Sequence, residues 1–272
     1  KINLLKGIGG FMNKIKKQII ILQLMALIIG GYGCEMKKEK VKQEPTLNEW
    51  QKEFLEEQGL PTEYSELNLT QQLSVDAIYE MIMYLEEKYG IGFEYTGYVR
   101  PQILEKEYMT AIPEGGNAKT DTVTVTREDD GTFTDDYPNI AVRPYYEQMI
   151  TDYVKDYFGS DKIKVISSIS TSINDFNNIT EEKMKGDVSS SNKIFIDSSV
   201  CNDKEVHTFV SDLSIWLNEN QLLGTNWIYL LNNKTSISNI DETNYKDYFD
   251  DNYVSISTGC SIQSDNRIQI LN

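Results

Sequence analysis

Histidine is almost absent from the chain: His207 is the single one in 272 residues. That excludes metal centres built on several imidazoles. On the helix expected around it, His207 shares a polar face with Ser211, Ser214 and Asn218, the place of a solvated side chain rather than a base. Cysteine is nearly as scarce, with Cys34, Cys201 and Cys260 at no zinc-site spacing. There is no Gly-x-Ser-x-Gly elbow, no phosphate-cradling glycine loop and no Cys/His nucleophile arrangement. No cofactor is expected. Basic side chains are outnumbered, 26 against 42 acidic, for a formal net charge of −16. Nucleic-acid binding, which rests on neutralising phosphates with Lys and Arg, is excluded on that ground. Carboxylates are abundant, but with 42 of them a close pair carries almost no signal for glycoside hydrolysis. The acidic runs at 128–136 and 247–251 lack the spacing of a calcium loop.

A hydrophobic run long enough to span a membrane is also missing. Ile19–Ile29 is apolar apart from Gln23, about half of the ~20 residues that a spanning helix needs. It follows the basic stretch Asn13–Lys17 and precedes Gly30-Gly31-Tyr32-Gly33-Cys34. The order basic, apolar, small marks a signal peptide starting at Met12. Residues 1–11 are then read as lying upstream of the protein's own start. The segment resembles the signal peptide and lipobox of bacterial, Gram-positive-type lipoproteins: Gly33 precedes Cys34 as that pattern asks, while Gly31 stands where Leu is usual. The resemblance implies cleavage before Cys34, diacylation of its sulfur and an anchor on the outer, extracytoplasmic face of the cell membrane. The competing reading is an ordinary secretory signal that happens to contain a Cys. Residues 34–45 would form a tether. Its lysines, Lys37, Lys38, Lys40 and Lys42, either sit against anionic lipid, at about 1 kcal/mol each, or are simply solvated.

Residues 1–33 contribute five lysines and no acid, so residues 34–272 hold 21 basic and 42 acidic side chains, a formal −21. Such an excess favours solubility and attraction to a basic partner. Seventeen Tyr and nine Phe supply core material, so the body over 46–272 is read as folded.

Thr46-Leu47-Asn48-Glu49 reads as a capping box opening a helix with Leu47, Trp50, Phe54 and Leu55 on one face, ended by Gly59 and Pro61. Leu73, Ala77, Ile78, Met81, Ile82, Leu85 and Tyr89 recur at helical spacing before Gly90. Extended chain is expected over Phe93–Val99. Residues 121–134 alternate around an Asp130-Gly131 turn, a hairpin with one solvated face. Arg143-Pro144 is expected to open a third helix, followed by a strand over Lys162–Ile169, a long polar loop over 171–192 and a short strand over Lys193–Asp197. Asn202-Asp203-Lys204-Glu205 caps a further helix. Strands over Asn226–Leu231, Tyr253–Ile262 and Arg267–Leu271 complete the chain. Cys260 falls on the alternating face Val254, Ile256, Thr258, Cys260 and Ile262, so a buried thiol competes with a Cys201–Cys260 disulfide. The helix–Gly–strand order near Tyr79–Gly90 recurs at Tyr146–Gly159, which leaves open two related halves meeting near 136–144. Irregular alternation of helices with antiparallel strands, without βαβ spacing, points to an α+β fold.

The functional expectation is a membrane-tethered extracytoplasmic lipoprotein that is not an enzyme and binds a protein, in toxin neutralisation of the immunity type or in an envelope complex. A solute- or glycan-binding lipoprotein is the alternative, and a carboxylate-based hydrolase a weaker one. Asp129, Asp130, Asp135 and Asp136 are the candidate partner-facing residues. Tyr95, Tyr98, Tyr137, Tyr145 and Tyr146 are candidate contact residues, set against ordinary packing.

Overall fold

The computed structural model describes residues 46–176 and 178–271. The segments expected to be leader and tether, with Cys34, lie outside the described residues. Leu47–Asn272 forms one compact unit. Its order is helix α1 (Glu49–Glu57), α2 (Leu69–Tyr89), strands β1 (Phe93–Val99), β2 (Tyr108–Pro113), β3 (Val123–Arg127) and β4 (Phe133–Asp135), then α3 (Tyr137–Phe158), β5 (Ile163–Thr171), α4 (Glu181–Met184), β6 (Val188–Ile196), α5 (Asp203–Glu219), β7 (Leu223–Leu231), β8 (Val254–Ile262) and β9 (Ile268–Leu271). The fold is α+β, with helices on two mostly antiparallel sheets of order β1-β2-β3-β4 and β5-β6-β7-β8-β9.

In the first half, α1 and α2 cover one face of the four-stranded meander. Leu55, Ile78, Met81, Ile82 and Leu85 pack against Phe93, Met109, Ala111, Val123 and Val125. Asn48 rather than Thr46 caps α1, and its capping-box partner is Gln51 rather than Glu49. Asn68 and Gln71 form a second capping box at the start of α2, and Gly90 closes that helix in the left-handed conformation at φ +70°. Val123 and Val125 face inward and the β3–β4 turn runs through Gly131 at φ +84°, as the alternation requires. Leu73, expected in the apolar stripe, is instead 61% exposed; it overhangs the groove described below.

In the second half, α3 and α5 cover one face of the larger sheet. Tyr146, Ile150, Val154, Phe209, Val210 and Leu213 meet Val165, Ile194, Ile196, Ile228 and Cys260. The other face, with Phe195, Tyr229 and Leu231, is closed by Ile240, Tyr245 and Tyr248 from the segment after β7. Burial on both faces explains the unbroken apolar run Trp227–Leu231. The third helix begins at Tyr137, not Arg143, with Pro138 in its first turn and Pro144 in its interior. An interior proline removes a helical hydrogen bond and costs about 3 kcal/mol. Buried Val142, Tyr146, Met149, Ile150 and Val154 supply the packing that holds the helix through it.

One βαβ unit is present against expectation: β6 and β7 are parallel neighbours joined through α5. The segment 171–192, expected as a loop, contains α4 and the polar first half of β6. Ser190 and Asn192 are buried there. Ser167, Asn192, Asn226 and Cys260 lie in register across four strands. Asn192 Nδ2 donates to Tyr146 Oη at 3.0 Å and to Asn226 Oδ1 at 2.6 Å. Gly224 follows at φ +118°, where a β-carbon would come within 1.9 Å of the Ser190 carbonyl oxygen, so only glycine lets the two strands approach. Both described cysteines are free, which corrects the disulfide alternative. Cys260 faces the core, and burial pushes its thiol up to about 12.

Aromatic rings join the two halves. Tyr137 lies 4.4 Å from Tyr89, 5.3 Å from Phe93 and 5.7 Å from Phe176, centroid to centroid. The likeness between halves stops at the order helix then strand, because the first sheet is a pure antiparallel meander and the second contains a parallel pair.

Candidate functional site

A concavity of about 880 Å³ lies between α2 and the β1–β2 hairpin. Its construction starts at Pro101, which cannot donate to a sheet ladder and ends β1 two residues after Val99. Gln102 and Glu105 then exchange backbone hydrogen bonds of 2.8 and 3.3 Å. That closed turn leaves its two central residues, Ile103 and Leu104, with no surface to bury against. They are 100% and 98% exposed. Turn centres are normally polar or glycine, so two large aliphatics at one are an exception. Leu69 and Leu73, on the first turns of α2, are also exposed. Leu73, Ala77, Tyr98, Val99 and Pro101 give the groove its apolar lining.

Charge surrounds that lining. Arg127 reaches Glu80 at 2.8 Å and also pairs with Glu107, which accepts a hydrogen bond from Tyr98 Oη. Burial, reinforced by the Glu107 carboxylate, pushes the Tyr98 phenol above its ordinary value. Asp76 accepts from Gln51 Nε2 at 2.8 Å and from Tyr64 Oη at 3.1 Å. Arg100 Nη1 donates to Thr70 Oγ1 at 3.3 Å, tying the hairpin base to α2. A shallower hollow of about 370 Å³ lies along the turn itself, lined by Ile103, Leu104, Lys106, Glu128 and Asp129, with Pro101, Gln102, Glu107 and Arg127 common to both. The combined surface carries six carboxylates, Asp76, Glu80, Glu105, Glu107, Glu128 and Asp129, against Arg100, Lys106 and Arg127.

The four aspartates expected to face a partner divide. Asp129 and Asp130 are exposed, and Asp129 borders the hollow. Asp135 does not face outward: its side chain is 0% exposed. It accepts hydrogen bonds from Lys88 Nζ at 2.7 Å, Tyr84 Oη at 2.8 Å and Tyr89 Oη at 2.7 Å. Asp136 is half-buried at the start of α3 and accepts from the Thr124 N–H at 2.6 Å. The reason for this correction is register. The acidic run does not end with the turn but continues into β4 and the helix start, where carboxylates meet buried donors. Burial pushes the Asp135 carboxyl up, but the bonds from Lys88, Tyr89 and Tyr84 outweigh it and hold it below the ordinary value. Burial holds Asp136 above it.

Asp135→Asn is therefore expected to cost about 1.5–3 kcal/mol at pH 7, the range for hydrogen bonds to charged groups. A carboxylate depressed in the folded state stabilises above its unfolded pKa, and that contribution is lost as pH falls through the folded value. The difference in melting temperature between wild type and variant should thus shrink from pH 7 to pH 3. Asp136 and Glu147, raised by burial, act in the opposite direction in both proteins. A constant difference across that range would contradict the assignment.

Of the five tyrosines, Tyr146 is fully buried, Tyr95, Tyr98 and Tyr137 are half-buried, and Tyr145 is 50% exposed. Only Tyr98 lines the groove. His207 is exposed on α5. Among the described residues, no group of three or more His, Cys, Asp or Glu is arranged to hold a metal ion, and no helix is long and apolar enough to cross a membrane. Ile103 and Leu104 carried no expectation, nor did β2, and the available signal was the sequence Pro101-Gln102-Ile103-Leu104-Glu105 itself.

No family model and no curated protein matches the chain. Among solved structures, a DUF5037 family protein from Ruminococcus gnavus ATCC 29149 aligns at 16% identity and a TM-score of 0.38, over 66% of this chain and 89% of that one. At that score the likeness carries no argument about fold or function.

Proposed function

We propose that residues 34–272 are a bacterial lipoprotein, anchored through Cys34 on the outer face of the cell membrane, whose acidic body binds another protein in the α2/β1–β2 groove. The observation that carries the reading is the pair Ile103 and Leu104, fully exposed beside an apolar groove with an acidic rim. Large exposed aliphatics next to a groove mark contact surfaces, and desolvated apolar anchors ringed by polar groups are how protein interfaces concentrate binding energy. The partner segment that complements this surface has apolar side chains flanked by Lys or Arg. A component of an envelope complex or a basic toxin neutralised at the membrane is the kind of partner that fits this description. The openness of both hollows favours this over solute binding, since small-molecule sites enclose most of their ligand.

The anchor is tested by metabolic labelling with a fatty-acid analogue. Cys34→Ala should abolish the label and leave the protein released or unprocessed. Two acyl chains hold a protein stably where one gives marginal binding, so no intermediate degree of retention is expected. Label persisting in the Ala variant would contradict the anchor.

A further inference from the structure

A second cleft, about 300 Å³, shares no lining residue with the groove. It opens between the loop before β3, the first half of α3, the edge strand β5 and the segment after β7. Both signs of charge line it: Lys119, Arg143 and Lys246, with Glu147 and Glu242. Arg143 is fixed in place, donating to the Thr120 carbonyl at 2.9 Å and to Asp121 at 2.5 Å. Glu147 Oε1 accepts the Ser167 N–H of the sheet edge at 2.6 Å. Its other oxygen takes no protein donor, and Lys119, Lys246 and Glu242 form no ion pair, among the described residues. Burial pushes the Glu147 carboxyl up and the Glu242 charge adds to the rise, the Ser167 N–H and the charges of Arg143 and Lys164 pull it down, and the net effect holds it above the ordinary value. The free oxygen of Glu147 can accept from a cationic group entering the cleft, and an opposite charge there favours the ionised carboxylate. The unpaired lysines supply the complement for an anion on the same molecule.

We propose that this cleft binds a small zwitterion of amino-acid size, its ammonium between Glu147 and Glu242 and its carboxylate toward Lys119, Arg143 and Lys246. The volume lies at the lower end for ligand sites, which suits a free amino acid and excludes an oligomer. Lys246 Nζ lies 5.8 Å from the centroid of the Tyr245 ring, so an aromatic residue of the same cleft helps to place one of its cations. An anion alone would leave Glu147 and Glu242 without a counter-charge from the ligand, and a cation alone would leave Lys119 and Lys246 without one. The zwitterion answers both.

Calorimetric titration of the full body with each common amino acid, and with its N-acetyl and amide derivatives, tests this. At least one free amino acid should give a saturable heat, and capping either end should weaken it by about tenfold or more, the equivalent of about 1.4 kcal/mol. Glu242→Gln and Lys246→Gln, both near the surface, should weaken binding similarly without changing the melting temperature, while Ile103→Ser should leave it unaltered. No saturable heat up to about 10 mM, a limit for weak binding, would overturn the proposal, as would equal binding of capped and free forms. Either failure leaves the protein-binding groove untouched.

Discussion

Leu85→Asp is expected to leave the body unfolded at 25 °C. Leu85 is fully buried in the C-terminal third of α2, packed with Met81 and Ile82 over Val123 and Val125. Removing its side chain alone costs about 2–5 kcal/mol. Placing an unpaired carboxylate there adds several more, or forces it to take up a proton. Against a total stability of about 5–15 kcal/mol for an ordinary domain, the sum removes most or all of it. His207→Ala, exposed on the outer face of α5, should stay within about 0.5 kcal/mol of wild type. Circular dichroism melts of the two variants decide the point. A cooperative transition near the wild-type temperature for Leu85→Asp would mean that α2 is not the centre of the first core.

The largest functional effect is expected from Ile103→Asp combined with Leu104→Asp. Both side chains are solvated, so stability should change by no more than about 0.5 kcal/mol. If they are the apolar anchors of an interface, their loss costs about 2 kcal/mol or more, at least about a 30-fold weaker complex. The loss should appear mostly as faster dissociation. Charge reversal at Asp129 should instead slow association, and association of the wild type should itself slow as salt rises, because screening shortens the reach of charge from ~10 Å at 0.1 M to ~3 Å at 1 M. Partner binding unchanged by the double substitution would move the interface elsewhere.

The regular parts of the fold were legible because their signals are local. The stripe of α2, the capping box of α5 at Asn202 and Glu205, and the alternation of β3 each repeat within one element. What was hidden depends on tertiary partners. The polar start of β6 is a strand because Tyr146 from α3 and Asn226 from β7 receive Ser190 and Asn192. β2 presents inward only Met109 and Ala111 before Ile112 and Pro113, too brief an alternation to stand out. α3 runs through Pro144 because its buried face holds it, which no propensity reading anticipates. The acidic run 128–136 misled for a related reason. Composition shows carboxylates but not that Lys88, Tyr84 and Tyr89 converge on Asp135 from a helix far along the chain. The contact surface was invisible because Ile103 and Leu104, beside the groove, look like core material in sequence and reveal themselves only by their exposure.

The most direct measurement is site-specific photocrosslinking on intact cells, with the protein, proposed to be anchored at their surface, carrying a photoreactive side chain at Leu104 in one strain and at exposed Lys234 in another. A protein partner in the groove predicts one discrete adduct from position 104 that disappears when Leu73 is also changed to Asp, and no such adduct from position 234. The same adducts from both positions, or none from 104 while the protein is folded and anchored, would contradict the account.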